Sequence, residues 1–489
     1  KAMLDYNLKR GAAAIVMKPT TGEILAMASK HDYDPNDPYA KPDFLENDEW
    51  EGRSSNEDVE FLFQTVFRNK ALMDTYEPGS TFKAITASAA LEEGVVTPDT
   101  NFVCSTVHIA GYNINCWKHG GHGAETFRLG VYNSCNPVFV KTGLALGISK
   151  FYQYARNFGF MEKTGITLNG EPKDDEYQWH KKPQEIDLAV SSFGQCFTIS
   201  PLQLVTAYSA IANGGNLMKP IIVKQISDSN GNIVEKNEPQ EVRKVISQQT
   251  SDTLREILEG VVSVGTGKNA YISGYRIAGK TGTSETNETE TEGRYIASFA
   301  AFAPADNPEI ALLIVLDHPQ VYPHSGGMLA APIAGKLIEE ILDYLRVERV
   351  YTELDKQLML KEMYVPEVRN MTVAEAKAKL KNYELNYIIE GEDKGESAIV
   401  IEQTPKPNSS VPSGSTVILY TYKPEEELPV KMPDVLNKNI SEAAETLKAA
   451  GLNIKVEGMG QAHRQEFEPG KELYKGQVVT IWFEHTETD

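Results

Sequence analysis

The chain is short of the residues that would settle its class at once. No apolar run approaches the ~20 residues needed to cross a bilayer as a helix. Four cysteines in 489 residues, Cys104, Cys116, Cys135 and Cys196, are too few for a disulfide scaffold. Positive charge is scarce as well, and a formal net charge of -20 argues against nucleic acid as a partner. The opening stretch, KAMLDYNLKRG, has neither an initiator methionine nor a signal peptide, and reads as a piece of something longer. What is plentiful is apolar material, 41% of the chain, enough to core roughly two to four domains.

The apolar material is organised in two textures. AAAIVMK and EILAMAS, joined by PTTG, form a hairpin pattern at the front. YRIAGKTGTS, RYIASFAAFA and EIALLIVLD give three later strands, and Ile333, Leu337, Ile341 and Leu345 mark a helix by i+4 spacing. Strands at both ends with helices between them predict one sheet flanked by helices over 1–346. The stretch SETNETETEGR at 284–294 reads as a solvated loop. After a linker at 347–360, VPEVRNMTVAEAKAKL from Val365 returns as MPDVLNKNISEAAETL from Met432, at an offset of 67 without a gap. That repeat predicts two small copied domains, 361–423 and 428–485, each a helix on a small β-sheet, around an acidic join, KPEEELP.

The chemistry concentrates in the first texture. In YEPGSTFKAI, Pro78 and Gly79 break the chain ahead of a predicted helix over 80–93, with Phe82, Ile85, Ala89 and Leu91 as its buried side and Gly94 as its stop. Ser80 and Lys83, at i and i+3, share a face at its N-terminus. A serine hydroxyl needs a neighbour to take its proton, and a lysine can do so only with a depressed pKa. Alone the pair is a weak signal, equally a helix cap beside a solvated lysine. NSCN then supplies Ser134 and Asn136 between helical segments, and KTGT supplies Lys280 to Thr283 on a strand. S-x-x-K, a Ser/Asn motif and K-T-G, in that order and context, are the acylating set of penicillin-binding proteins and class A β-lactamases.

Over nearly its whole length the chain resembles a class B penicillin-binding protein, a peptidoglycan D,D-transpeptidase. The resemblance rests on EPGSTFK, SFGQ followed by SPLQL, and AGKTGTS, while the two copies resemble PASTA domains. It implies an α+β fold, with a five-stranded antiparallel sheet flanked by helices, and an extracytoplasmic domain anchored by an N-terminal helix that this chain lacks. It implies that Ser80 attacks the penultimate D-Ala carbonyl of a stem pentapeptide ending in D-Ala-D-Ala. Lys83 takes its proton, Ser134 passes a proton to the leaving amine, and Asn136 holds the substrate amide. Lys280 adds positive charge, Thr281 and Thr283 bind the terminal carboxylate, and Gly282 lets an extended peptide lie close. The backbone N–H groups of Ser80 and Thr283 form the oxyanion hole. β-Lactams would acylate Ser80, no organic cofactor is needed, and a membrane glycosyltransferase is the expected partner. Septal, lateral and spore-cortex roles are not distinguished.

Three of the cysteines fall between 104 and 135. FVCSTVHIAGYNINCW reads as a hairpin turning at Ala110-Gly111, which would set Cys104 opposite Cys116, ~5 Å apart at Cβ. With Cys135 inside the Ser/Asn motif and the histidines of CWKHGGHG, the set suits a structural zinc held by Cys104, Cys116, His122 and Cys135, with His119 as the alternate ligand. A Cys104–Cys116 disulfide and free thiols remain the competing readings. Cys196 reads as a small core residue where the family usually has glycine. Two rival functions also stand: a D,D-carboxypeptidase or β-lactamase that deacylates with water, and a wall-binding scaffold or β-lactam sensor.

Overall fold

The computed structural model of the chain describes all residues except 1, 43, 46–49, 287–293, 352–354, 356–361, 392–393, 423–428, 439, 459–460 and 485–489. It divides into two compact units, Lys1–Val350 and Tyr351–Asp489. The first is built on five antiparallel strands, β1 (Ala12–Met17), β2 (Ile24–Lys30), β3 (Ala278–Thr286), β4 (Arg294–Ala303) and β5 (Ile310–Asp317). Their spatial order is β3-β4-β5-β1-β2, so β1 pairs with β5 and ties the two ends of the unit into one sheet.

Both faces of this sheet are covered. Along β1, Ala13, Ile15 and Met17 enter one core while Val16 enters the other. Along β5, Ala311, Leu313 and Val315 alternate in the same way with Ile310, Leu312, Ile314 and Leu316. Every residue of β5 is buried. That double burial is why these strands read as unbroken apolar runs instead of alternating with polar residues.

The larger core lies under α1 (Lys83–Glu92), α2 (Phe127–Tyr132), α3 (Asn136–Leu146), α4 (Pro201–Ala212) and α5 (Gln248–Ser263). All twelve residues of α4 are buried, as expected of a helix with no polar face. α1 departs from the one-sided helix predicted: Lys83 to Ala90 are all buried, and Leu91 is only partly so. Its alanines let neighbouring helices approach from every side. The hydroxyls among them are satisfied internally, Thr86 on the Ser192 carbonyl at 2.8 Å and Ser88 on that of Ala84 at 2.9 Å.

α6 (Gly326–Tyr344) covers the second face. Its buried stripe is not the predicted one. Leu329, Ala330, Ala334, Ile338 and Leu342 are buried, Ile333, Leu337 and Ile341 sit at the margin, and Leu345 is exposed. The spacing is the predicted one, but the contact face runs through Ala330, Ala334, Ile338 and Leu342, one position away and so about 100° around the helix from the predicted residues.

In the second unit each copy has its own core. The helices Val373–Asn382 and Ile440–Ala449 keep the offset of 67. Each packs on a three-stranded sheet with one parallel and one antiparallel pair. Asn370 and Asn437, at the same offset, both take left-handed backbone, φ 62 and φ 60. Within the expected acidic loop, Ser284 and Glu285 extend β3, and 287–293 lie outside the described residues, as do most of the 347–360 linker and the 423–428 join.

Candidate active site

Gly79–Phe82 forms a 3-10 turn, and α1 starts only at Lys83, three residues later than predicted from Ser80. A 3-10 turn eclipses i and i+3 and places Ser80 and Lys83 on one side. The turn is wedged in place. Gly79 has φ +53, and a Cβ there would meet the Thr283 carbonyl at 2.6 Å. From α4, the Tyr208 hydroxyl donates to the Thr81 carbonyl at 2.7 Å. Ser80 is partly exposed, whereas Lys83 is wholly buried. Lys83 Nζ donates to the Ser134 carbonyl at 2.7 Å, Ser134 Oγ at 3.2 Å and Asn136 Oδ1 at 2.6 Å.

Ser134 sits between α2 and α3 in left-handed backbone, φ 52, a conformation that costs a non-glycine residue about 1–2 kcal/mol. The surroundings hold it there: its own N–H donates to Val131 at 3.1 Å, and that of Cys135 to Gly130 at 2.9 Å. From the other side Lys280 Nζ, fully buried, donates to Ser134 Oγ at 2.8 Å. Burial pushes the Lys83 ammonium down to about 7. Lys280 is pushed well below the usual lysine range, by burial first and by Lys83 second. The two amines share one hydroxyl, and a proton on Lys83 opposes one on Lys280. Ser134 is thereby a bridge along which a proton can pass.

β3 carries Lys280 to Thr283 at an edge of the sheet, leaving one side of its backbone ladder open to an added extended chain. Thr281 Oγ1 donates to Thr266 at 3.2 Å, and Thr283 Oγ1 accepts from the Gly326 N–H at 3.1 Å. Thr283 is exposed, while Lys280 lies beneath it on Ser134. Gly282 serves a different purpose from the one expected. Its missing Cβ would meet Ser298 Oγ at 2.4 Å, Thr81 Cγ2 at 2.8 Å and the Pro78 carbonyl at 2.9 Å. The glycine seats the Ser80 turn on β3; it does not clear the outer edge. Gly282→Ala should therefore destabilise the unit by about 1–3 kcal/mol in denaturant unfolding and slow covalent labelling of Ser80. Labelling at the wild-type rate would show that the turn does not depend on this contact.

Behind Ser134, four donors converge. The Sγ atoms of Cys104, Cys116 and Cys135 and a His122 ring nitrogen all lie within 4.8 Å of one another. His122 Nδ1 is 3.7 Å from Cys104 Sγ and 3.4 Å from Cys116 Sγ, and Cys135 Sγ is 3.1 Å from Cys104 Sγ. These separations are near the ~3.7 Å edges of a tetrahedral zinc thiolate site and too long for a disulfide, and all four cysteines are free thiols. The donor set therefore fits a zinc ion, with His119 exposed and outside it.

The hairpin that was to pair Cys104 with Cys116 is shorter than predicted. Its turn is at Ala110-Gly111, but pairing runs only from Val107↔Ile114 to Ile109↔Tyr112, and Cys104 pairs instead with Gly123 on another strand. The sulfurs meet because the two short ladders fold together. Cys196 is also not a core residue: it is exposed at φ 64, which explains why glycine suits that position, and its N–H donates to Glu77 Oε1 at 3.0 Å. Sequence reasoning missed Glu125 and Asn133. The buried Glu125 carboxylate accepts from Asn133 Nδ2 at 2.8 Å, and Trp117 Nε1 donates to the Asn133 carbonyl at 2.9 Å, so the residue before Ser134 is anchored to the cysteine cluster. The only available signal was Glu125 standing three residues after His122.

Residues 12–339 match the penicillin binding protein transpeptidase domain, and 363–423 and 430–485 match the PASTA domain. Stage V sporulation protein D of Bacillus subtilis is 35% identical over 425 residues, covering 85% of this chain and 62% of that protein. Penicillin-binding protein PbpB of Mycolicibacterium smegmatis is 31% identical over 361 residues, covering 70% of this chain and 51% of its own length. The chain thus spans about half to six-tenths of these relatives. Among solved structures, penicillin binding protein 3 from Mycobacterium tuberculosis complexed with aztreonam aligns with a TM-score of 0.60 at 28% identity, covering 71% of this chain and 76% of that one. The transpeptidase domain of Burkholderia pseudomallei penicillin-binding protein 3 gives 0.58 at 26%, over 72% and 93%.

Proposed function

Because the chain belongs to the penicillin-binding transpeptidase family and carries two PASTA domains, we propose that it is a serine D,D-transpeptidase that cross-links peptidoglycan stem peptides and is acylated by β-lactams. The observation that carries this reading is the buried Lys83–Ser134–Lys280 chain set beside a partly exposed Ser80, with Ser134 Oγ 3.2 Å from one amine and 2.8 Å from the other.

The donor peptide, ending in D-Ala-D-Ala, adds to the open edge of β3, its terminal carboxylate at the Thr281 and Thr283 hydroxyls and its amide at Asn136. Ser80 Oγ attacks the penultimate carbonyl carbon and gives its proton to the uncharged Lys83 Nζ. The oxyanion is met by the backbone N–H groups of Ser80 and Thr283, a role supported by the close approach of the Gly79–Phe82 turn to β3 at Thr283. In other enzymes one such donor is worth about 3 kcal/mol. The C–N bond then breaks, and the proton travels through Ser134 Oγ to the departing D-Ala amine. An acceptor amine repeats the steps in reverse on the ester. The aztreonam complex of the Mycobacterium tuberculosis relative supports β-lactams as alternative acyl donors.

Cys104, Cys116, His122 and Cys135 hold a structural zinc in this reading, with no part in the reaction steps. The fold faces the outside of the membrane, where the peptidoglycan is, and a glycosyltransferase that makes glycan strands is the fitting partner. Intact-mass analysis after benzylpenicillin tests the central claim. Wild type gains one penicilloyl group that persists for hours, and Ser80→Ala gains none. An adduct lost within seconds points to a hydrolase, and equal labelling of Ser80→Ala overturns the assignment.

A further inference from the structure

We propose that Thr266 is a further substrate-binding residue, a hydroxyl that donates to the terminal carboxylate of the donor peptide and of β-lactams. The inference rests on the transpeptidase reading above and extends its carboxylate site. Thr266 belongs to none of the three motifs; it lies in the loop between α5 and a 3-10 turn at Lys268–Ala270. Three elements of the site meet there. The Thr266 N–H donates at 3.0 Å to the carbonyl of Tyr132, the last residue of α2 and two before Ser134. Its hydroxyl accepts from Thr281 Oγ1 on β3 at 3.2 Å. Its carbonyl backs onto the start of α6, where a Cβ on Gly327 would meet it at 2.7 Å. The preceding residue shares the fit: a Cβ on Gly265 would meet the Tyr132 carbonyl at 2.6 Å. Thr266 is thereby fixed between the Ser134 loop and β3.

The proton count at the hydroxyls decides its role. A hydroxyl has one proton to donate. Thr281 gives its own to Thr266 and has none left for an anion, whereas the Thr266 proton has no acceptor among the described residues. Accepting from Thr281 also polarises the Thr266 O–H and makes it a better donor. Thr281 is the deeper of the two, 7% exposed, while Thr266 is half-buried. Farther along β3, Thr283 Oγ1 accepts from the Gly326 N–H at 3.1 Å, which leaves its own proton free. Gly326 opens α6, a helix of 19 residues whose positive end therefore lies at this hydroxyl. The two protons open to a carboxylate are those of Thr266 and Thr283, and Thr281 acts on the carboxylate through Thr266.

Rates of acylation of the full chain by benzylpenicillin and by its methyl ester, followed by intact mass, test this. The ester carries the same lactam without the anion, so wild type should prefer the acid. Thr266→Val keeps the shape of the side chain and removes the hydroxyl. It should shrink the acid-over-ester preference about tenfold, the effect of losing one hydrogen bond to a charged group. Thr266→Ala should act in the same way, and Thr266→Ser should restore the preference. The preference is a ratio within one protein, so a smaller folded fraction or a displaced Ser80 turn slows both compounds alike and leaves it unchanged. An undiminished preference in Thr266→Val and Thr266→Ala, or a serine variant no better than they are, would overturn the proposal while Ser80 acylation stands. A wild type that neither compound acylates would overturn the transpeptidase reading and this inference with it.

Discussion

Replacing Lys83 with methionine will slow acylation by benzylpenicillin by about 10³-fold, within the range that a positioned general base supplies. The substitution keeps the length and apolar stem of the side chain and removes only the amine. That amine is wholly buried and donates to the Ser134 carbonyl, Ser134 Oγ and Asn136 Oδ1. The pH profile provides the second readout. The Lys83 pKa is lowered to about 7, chiefly by burial, and attack by Ser80 needs its uncharged form. Below pH 7 the wild-type rate should fall about tenfold per unit as Lys83 gains a proton, and above it the rate should level off. Lys83→Met should lose this slope. Time courses with a fluorescent penicillin measure both. A variant that labels at the wild-type rate, or a wild type with a flat profile, would remove Lys83 from the role of base.

The second large effect is expected at Cys135. Its thiol is fully buried 3.1 Å from that of Cys104, and its backbone links Ser134 to the first residue of α3. Cys135→Ser should reduce bound zinc from one equivalent to a small fraction, lower the unfolding midpoint, and slow acylation by about a hundredfold, the cost of misplacing a reacting group by roughly 1 Å. A strong chelator acting on wild type should reproduce the loss of acylation. Elemental analysis, thermal unfolding and penicillin labelling on the same samples make the test. Metal-free wild type of undiminished activity would mean that the cluster is three thiols and an imidazole and nothing more.

How much of this was legible in the sequence depended on the range of the interaction. The inner strands were readable because burial on both faces leaves an unbroken apolar run, and β5, buried throughout, is the plainest case. The motifs around Ser80, Ser134 and Lys280 were readable because their residue types are dictated by chemistry. Features set by contact across the fold were not. The pairing of Cys104 with Gly123 depends on a strand nineteen residues away. The burial of Lys83 to Ala90 on every side of α1 depends on helices that its own pattern does not announce. Gly282 was assigned to the substrate side because a strand glycine can face either way, and only the position of Pro78 and Thr81 decides which.

Lys83 and Lys280, both wholly dry, make the centre of this unit thermodynamically poor. An amine in such surroundings prefers to lose its proton, whereas the unfolded chain keeps it at neutral pH, so each lysine pulls toward unfolding. Selection for heat resistance alone, blind to chemistry, would be drawn to methionine at these two positions. Its survivors would be sturdier than the parent and inert.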